Sequence, residues 1–127
     1  MTGQDAPGLD SLADRSIARI VTTASDAQRA SIALYGEIDA AAAPALRRQV
    51  RRHLRAGRRV IHIDADAVTF IDSLALGALA AMTDRCARAD GSLTLTNVPT
   101  HIRRVIQIAG LEPILLIDTA AAETPDI

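Results

Sequence analysis

The residues of this chain best placed to do chemistry lie within residues 61–79, IHIDADAVTFIDSLALGAL. Asp64 and Asp66 form a carboxylate pair, Thr69 and Ser73 bring hydroxyls, and Asp72 stands where a helix must begin. General acid–base work by Asp64 and Asp66 would need a pocket, a base partner or a metal companion, and the sequence offers none of these. That pair reads as loop solubilisers and caps. The Asp72-Ser73 corner suggests something else. Aspartate is a good N-cap residue, and the helix it opens presents free backbone N–H groups. A phosphate on that first turn would be held by those donors and by the helix dipole. Adding roughly two negative charges to an acidic surface is also an effective way to repel a partner.

Other chemistries are excluded by residue type. All 14 basic residues are arginine. Without lysine there is no phosphate-loop lysine and no Schiff base, and the active site of a phospho-acceptor receiver domain cannot be assembled. There is no Gly-x-Ser-x-Gly elbow. His53, His62 and His101 are scattered, with no ligand spacing among them, and no cofactor is implied. Cys86 is the one cysteine, so no internal disulfide forms; it is expected on a core face and inert. One Phe, one Tyr and no Trp leave a core of Ile, Leu, Val and Ala and no base-stacking platforms.

The elements that must position the corner follow from hydrophobic period. At 127 residues the chain is one domain with one core. Residues 1–15 and 119–127 read as tails around a domain at 16–118. Residues 17–23 and 31–38 read as an antiparallel pair of strands. Helices are expected at 42–56, with Pro44 in the first turn, at 73–89 and at 99–109, each followed by a glycine. Gly77, inside the second helix, is expected to admit a neighbouring element or a partner. Strands are expected at 60–64, 92–96 and 114–118, with an acidic loop between 64 and 72. The resulting order, β-β-α-β-α-β-α-β, implies an α/β fold with a mainly parallel five-stranded sheet, an antiparallel N-terminal edge and three to four helices. No apolar run reaches the roughly 20 residues of a membrane span. The polar start lacks a signal-peptide pattern, so a cytoplasmic protein with no membrane insertion is expected.

Four stretches together carry a family resemblance: Gly36-Glu37-Ile38-Asp39, the strand ending at Asp64, the corner from Val68 to Ser73, and the segment from Asn97-Val98-Pro99 to Ile108-Ala109-Gly110-Leu111. In this order they resemble the STAS domains of bacterial anti-sigma factor antagonists over about residues 17–118. The resemblance implies a non-enzymatic switch that binds an anti-sigma factor of the serine-kinase type and releases a sigma factor. Phosphorylation of a corner serine or threonine would stop that binding. The family signature reads Asp-Ser-Ser/Thr-Gly-Leu; this chain reads Asp72-Ser73-Leu74-Ala75-Leu76. The acceptor position is a leucine, which implies a constitutively unphosphorylated surface. Ala75 in place of glycine implies that no special backbone angle is needed there. Ser73 remains as a candidate acceptor, although its hydroxyl is expected to help cap the helix, and Thr69 is a weaker one. The alternative reading is a small cytoplasmic STAS subunit of a lipid-transport complex, where phosphorylation is not the control.

A helical wheel for residues 73–89 places Leu76, Leu79, Ala80, Thr83, Cys86 and Ala87 on a core face. Leu74, Ala78, Ala81, Met82 and Arg85 then form an exposed apolar ridge, the kind of patch that marks a binding surface. The expected partner-binding set is Glu37, Asp39, Asp72, Ser73, Leu74, Ala78, Met82 and Arg85. Seven arginines within residues 47–59 read as a solvated helix face, or as a match for an acidic partner surface. A nucleic-acid footprint would want net positive charge, and the formal charge here is −1. The oligomeric state is left open.

Overall fold

A computed structural model describes residues 17–118. The expected tails at 1–15 and 119–127 lie outside the described residues. Strands β1 (Arg19–Ser25) and β2 (Arg29–Ile38) form the antiparallel hairpin. Its turn is fixed by Asp26, whose Oδ1 accepts the backbone N–H groups of Gln28 and Arg29, both at 2.8 Å. Helix α1 (Ala43–Arg55), β3 (Val60–Ile71), α2 (Ser73–Arg88), β4 (Ser92–Thr96), α3 (Thr100–Ile108) and β5 (Leu116–Asp118) follow. The sheet order is β1-β2-β3-β4-β5, and every pair after the first is parallel. Three helices are present among the described residues, and the expected α/β sheet is the one found.

Right-handed crossovers that always step the same way along a sheet place their helices on one face. That face carries Ile32, Leu34 and Ile38 of β2, Ile61 and Ile63 of β3, and Leu93 and Leu95 of β4, all buried. The opposite face shows Tyr35, Glu37, His62 and Thr94, half-buried or exposed. The core is aliphatic, as composition requires. Phe70 is exposed, and Tyr35 lies under the Arg19 guanidinium, 4.6 Å from ring centroid to carbon.

One expectation fails in β3. The strand does not stop at Asp64 but runs on to Ile71, and the expected acidic loop is paired backbone. Opposite β2, residues Asp64 to Ala67 answer Ala33 to Tyr35, and Val68 to Phe70 answer Gly36 to Glu37. Each step puts one extra residue into β3, which is the definition of a bulge. The buried positions therefore run Ala65, Val68, Ile71, and strict alternation is lost. Asp64 helps to make the first bulge, because its Oδ1 accepts the Asp66 N–H at 3.0 Å. Gly36, at φ 83°, supplies a left-handed residue at the second.

Helix α1 is tied to β1 by a polar chain centred on His53, which is buried. An Arg58 guanidinium N–H can only donate, so the 3.2 Å contact with His53 Nδ1 makes that nitrogen the acceptor. Nε2 therefore carries the hydrogen and donates to Thr22 Oγ1 at 2.9 Å. Thr22 in turn donates to Gln49 Oε1 at 3.0 Å. Burial first, then Arg58 and Arg52, hold the His53 pKa below its ordinary value.

His53 is thus neutral in the fold and protonates more readily when unfolded. The stabilisation it brings is full above the ordinary imidazole pKa near 6.5 and is lost as pH falls through the lower folded value. Urea midpoints should be flat above about pH 7 and decline below it, and His53→Gln should remove that slope. A second expectation concerns two glycines. A Cβ on Gly91 would run into the Arg59 carbonyl, whereas one on Gly77 meets nothing within 4 Å. The open space around Gly77 corrects the expectation that it admits a neighbouring element of this chain. Gly77→Ala should raise stability by about 0.5–1 kcal/mol from helix propensity, and Gly91→Ala should lower it, both read by thermal melting.

Candidate protein-binding surface at the Asp72 corner

Asp72 is extended, at φ −103° and ψ 177°, and caps α2. Its Oδ1 accepts the Ala75 N–H at 2.9 Å. Its Oδ2 accepts the Ala40 N–H at 3.0 Å, and its own N–H donates to the Ile38 carbonyl at 3.2 Å. One carboxylate therefore joins the end of β2 to the start of α2. Asp39 does similar work one turn away, with Oδ1 accepting the N–H groups of Ala41 and Ala42 at 3.1 and 3.2 Å. The strand end carrying Glu37 and Asp39 and the corner carrying Asp72 and Ser73 are thus brought together. Both half-buried aspartates are committed to scaffold hydrogen bonds, and Glu37 is the exposed acid of this group.

Ser73 and Leu74 form the exposed first turn of α2, with Leu74 64% exposed. The Ser73 hydroxyl makes no hydrogen bond among the described residues, so the cap belongs to Asp72 alone, against expectation. Ala75 is fully buried in ordinary helix, and its backbone N–H is the one that Asp72 Oδ1 receives. Arg85 is exposed on the same side of the helix as Leu74, about 16 Å along it at 1.5 Å per residue.

The expected apolar ridge does not exist. Ala78 and Met82 are buried at 0% and 2% exposure, inside the core. Helix α2 packs against both β4 and α1, so its buried arc runs from Ala78 through Met82, Cys86 and Thr83 to Leu76. At 100° per residue that arc is about 160° wide and centred near Cys86, some 60° from the centre placed by the wheel. Ala80 and Ala87, expected inside, are half-buried and exposed. Cys86 is in the core as expected, and burial pushes its thiol up to about 11, so it stays protonated at neutral pH.

Sequence reasoning missed Phe70. It is 49% exposed and sits opposite Glu37 in the β2–β3 register. The signal was present: a lone phenylalanine between polar and aliphatic neighbours at the mouth of the corner. Beside Glu37 and Asp39, a cleft of about 410 Å³ opens between the start of β1 and the start of α1. Its floor is apolar, with Ile20 and Ala42, and its rim is acidic. An acidic rim over an apolar floor, with exposed Phe70 paired opposite Glu37, suits contact with a protein side chain.

Comparison with known proteins adds the following. A family model described as "Mlab, STAS domain" matches residues 21–117. Among solved structures, an anti-sigma factor antagonist from Mycobacterium paratuberculosis superposes with a TM-score of 0.70 at 22% identity, covering 87% of this chain and 93% of that one. The Bacillus cell fate determinant SpoIIAA in its phosphorylated form gives 0.60 at 21% identity, over 87% and 98% of the two chains. The murine anion transporter Slc26a9 gives 0.59 at 14% identity, covering 83% of this chain and 20% of that one. No curated protein matches in sequence. Among the described residues, no helix is long and apolar enough to cross a membrane.

The geometry sets a stability contrast that urea denaturation can read. Asp72→Ala should cost about 1–2 kcal/mol through the lost cap. Leu74→Asp, on an exposed turn, should change stability by less than about 0.5 kcal/mol. Met82→Asp, which buries an unpaired charge, should leave little folded protein.

Proposed function

The chain belongs to the STAS domain family, and on that premise we propose that it is an anti-sigma factor antagonist. It works by binding, not by chemistry. It occupies an anti-sigma factor of the kinase-like type and thereby frees a sigma factor. The surface consists of Glu37 and Asp39 at the end of β2, Asp72, Ser73 and Leu74 at the corner, and Arg85 further along α2. Phe70 joins this set. Ala78 and Met82 contribute from beneath, by holding the helix in place.

The observation that carries this reading is Leu74, a large aliphatic side chain 64% exposed on the first turn of α2. It stands where the family signature has its modifiable hydroxyl, and leucine cannot accept a phosphate. Regulation by charge at that position is therefore absent, and the surface is permanently competent to bind. Aspartate at 74 would imitate part of the missing modification, adding negative charge beside Glu37, Asp39 and Asp72.

A second reading, a small cytoplasmic STAS subunit of a lipid-transport complex, draws on the same leucine, since such a subunit needs no phosphorylation switch.

The test is affinity capture from native lysate with tagged wild-type and Leu74→Asp proteins. A small kinase-like ATPase recovered by the first and lost from the second is the expected result. Recovery of a permease and a transport ATPase instead would move the chain to the second reading. Phosphopeptide mapping that found modified Ser73 in cells would end the constitutive account.

A further inference from the structure

At the far end of the two helices, about 20 Å from Leu74 by helix rise, lies a second charged feature. A cleft of about 430 Å³ is lined by Arg51 and Arg55 of α1, Arg59 of the following loop, and Arg85 and Arg88 of α2. Leu54 and Ala89 form its apolar floor. Residues 43–59 contain seven arginines and no acid. Arg88 is paired with Asp84 at 2.7 Å. Arg59 donates to the Leu54 and Arg58 carbonyls, at 3.0 and 3.1 Å. Among the described residues, Arg51, Arg55 and Arg85 have no ion pair, and Arg51 Nε is buried without any acceptor.

Basic residues in the last turns of helices have an ordinary use, which is to meet the negative end of the helix dipole. That use does not explain this convergence. Only Arg59 reaches a helix-terminal carbonyl here. The others come from two separate helices into one small space, where like charges repel, and one of them keeps a buried donor unanswered.

We propose that this groove is a binding site for a small soluble polyphosphate, a ligand bearing two or more linked phosphates. Five guanidiniums against one carboxylate leave a surplus of positive charge in a single groove. Linked phosphates concentrate that much negative charge, and their oxygens fit the planar guanidinium fork in bidentate fashion. The absence of aromatic residues from the lining and the overall charge of −1 argue against a nucleic-acid strand. The site lies at the opposite end of α2 from the Asp72 corner and shares Arg85 with the surface proposed above, but its ligand does not depend on the partner proposed there.

Isothermal titration of the full chain with inorganic tripolyphosphate, at about 0.15 M salt, tests this. Saturable one-to-one binding is expected, weakened at least tenfold in Arg55→Gln and in Arg85→Gln. Arg104→Gln, on α3, should leave it unchanged. Asp84→Asn, which releases Arg88, should tighten it. A parallel titration with ATP separates the sources: tighter binding than tripolyphosphate assigns a nucleotide resting on Leu54 and Ala89, and equal binding assigns the phosphate chain alone. Absent saturation with both ligands, equal affinity in the arginine variants, or equal heat from sodium sulfate at matched ionic strength would each overturn the proposal. Thermal melting without ligand keeps the variants interpretable. Removing one like charge should hold or raise the midpoint, and a large fall would show the arginines to be structural instead.

Discussion

The exposed surface of this protein depends on how one carboxylate divides its two oxygens. Asp72 gives one to the first turn of α2 and the other to the loop that leads from β2 into α1. Asp39 shapes that loop locally, through the Ala41 and Ala42 N–H groups, but among the described residues it is the Asp72 side chain that ties the loop to α2. The Asp72 N–H closes the arrangement onto the Ile38 carbonyl. Three backbone segments thus meet at one residue, and exposed Glu37, Phe70, Ser73 and Leu74 are presented around it. Removing the carboxylate would release two segments at once, so the surface would lose its shape before the core lost its packing.

Much of this was legible from residue types. Alternating strands and helices, Pro44 near a helix start, glycines past helix ends and a lysine-free composition sufficed for the fold class. They also sufficed for the exclusion of several chemistries. Asp72 as a cap and the closeness of Asp39 followed from local rules and the order of elements. Two errors have a common cause. The wheel for α2 assumed one neighbour, while the helix has two, so Ala78 and Met82 went to the wrong side. The strand rule assumed period two, while β3 carries two extra residues, so its second half passed for a loop and Phe70 went unseen. Both quantities depend on a partner element that local sequence does not name.

Charge along this chain is arranged, although its total is nearly zero. The acids Glu37, Asp39 and Asp72 gather where α2 begins, and Arg51, Arg55, Arg59, Arg85 and Arg88 gather where α1 and α2 end. Each cluster meets the helix pole of opposite sign. Net charge and isoelectric point average over these two ends and report neither. A molecule polarised in this way would turn in the field of a charged partner before touching it.

The doubled bulge of β3 carries a consequence for how such a chain can change length. In a regular strand, one residue gained or lost turns every later side chain to the opposite face. Between Asp64 and Phe70 this strand has already absorbed two such steps and still delivers Ile71 to the core and Asp72 to its cap. The segment therefore works as an expansion joint between a rigid sheet and the corner it supports. Insertions and deletions among descendants should collect there and spare β2 and β4, so the corner could drift toward new partners while the sheet stayed in register.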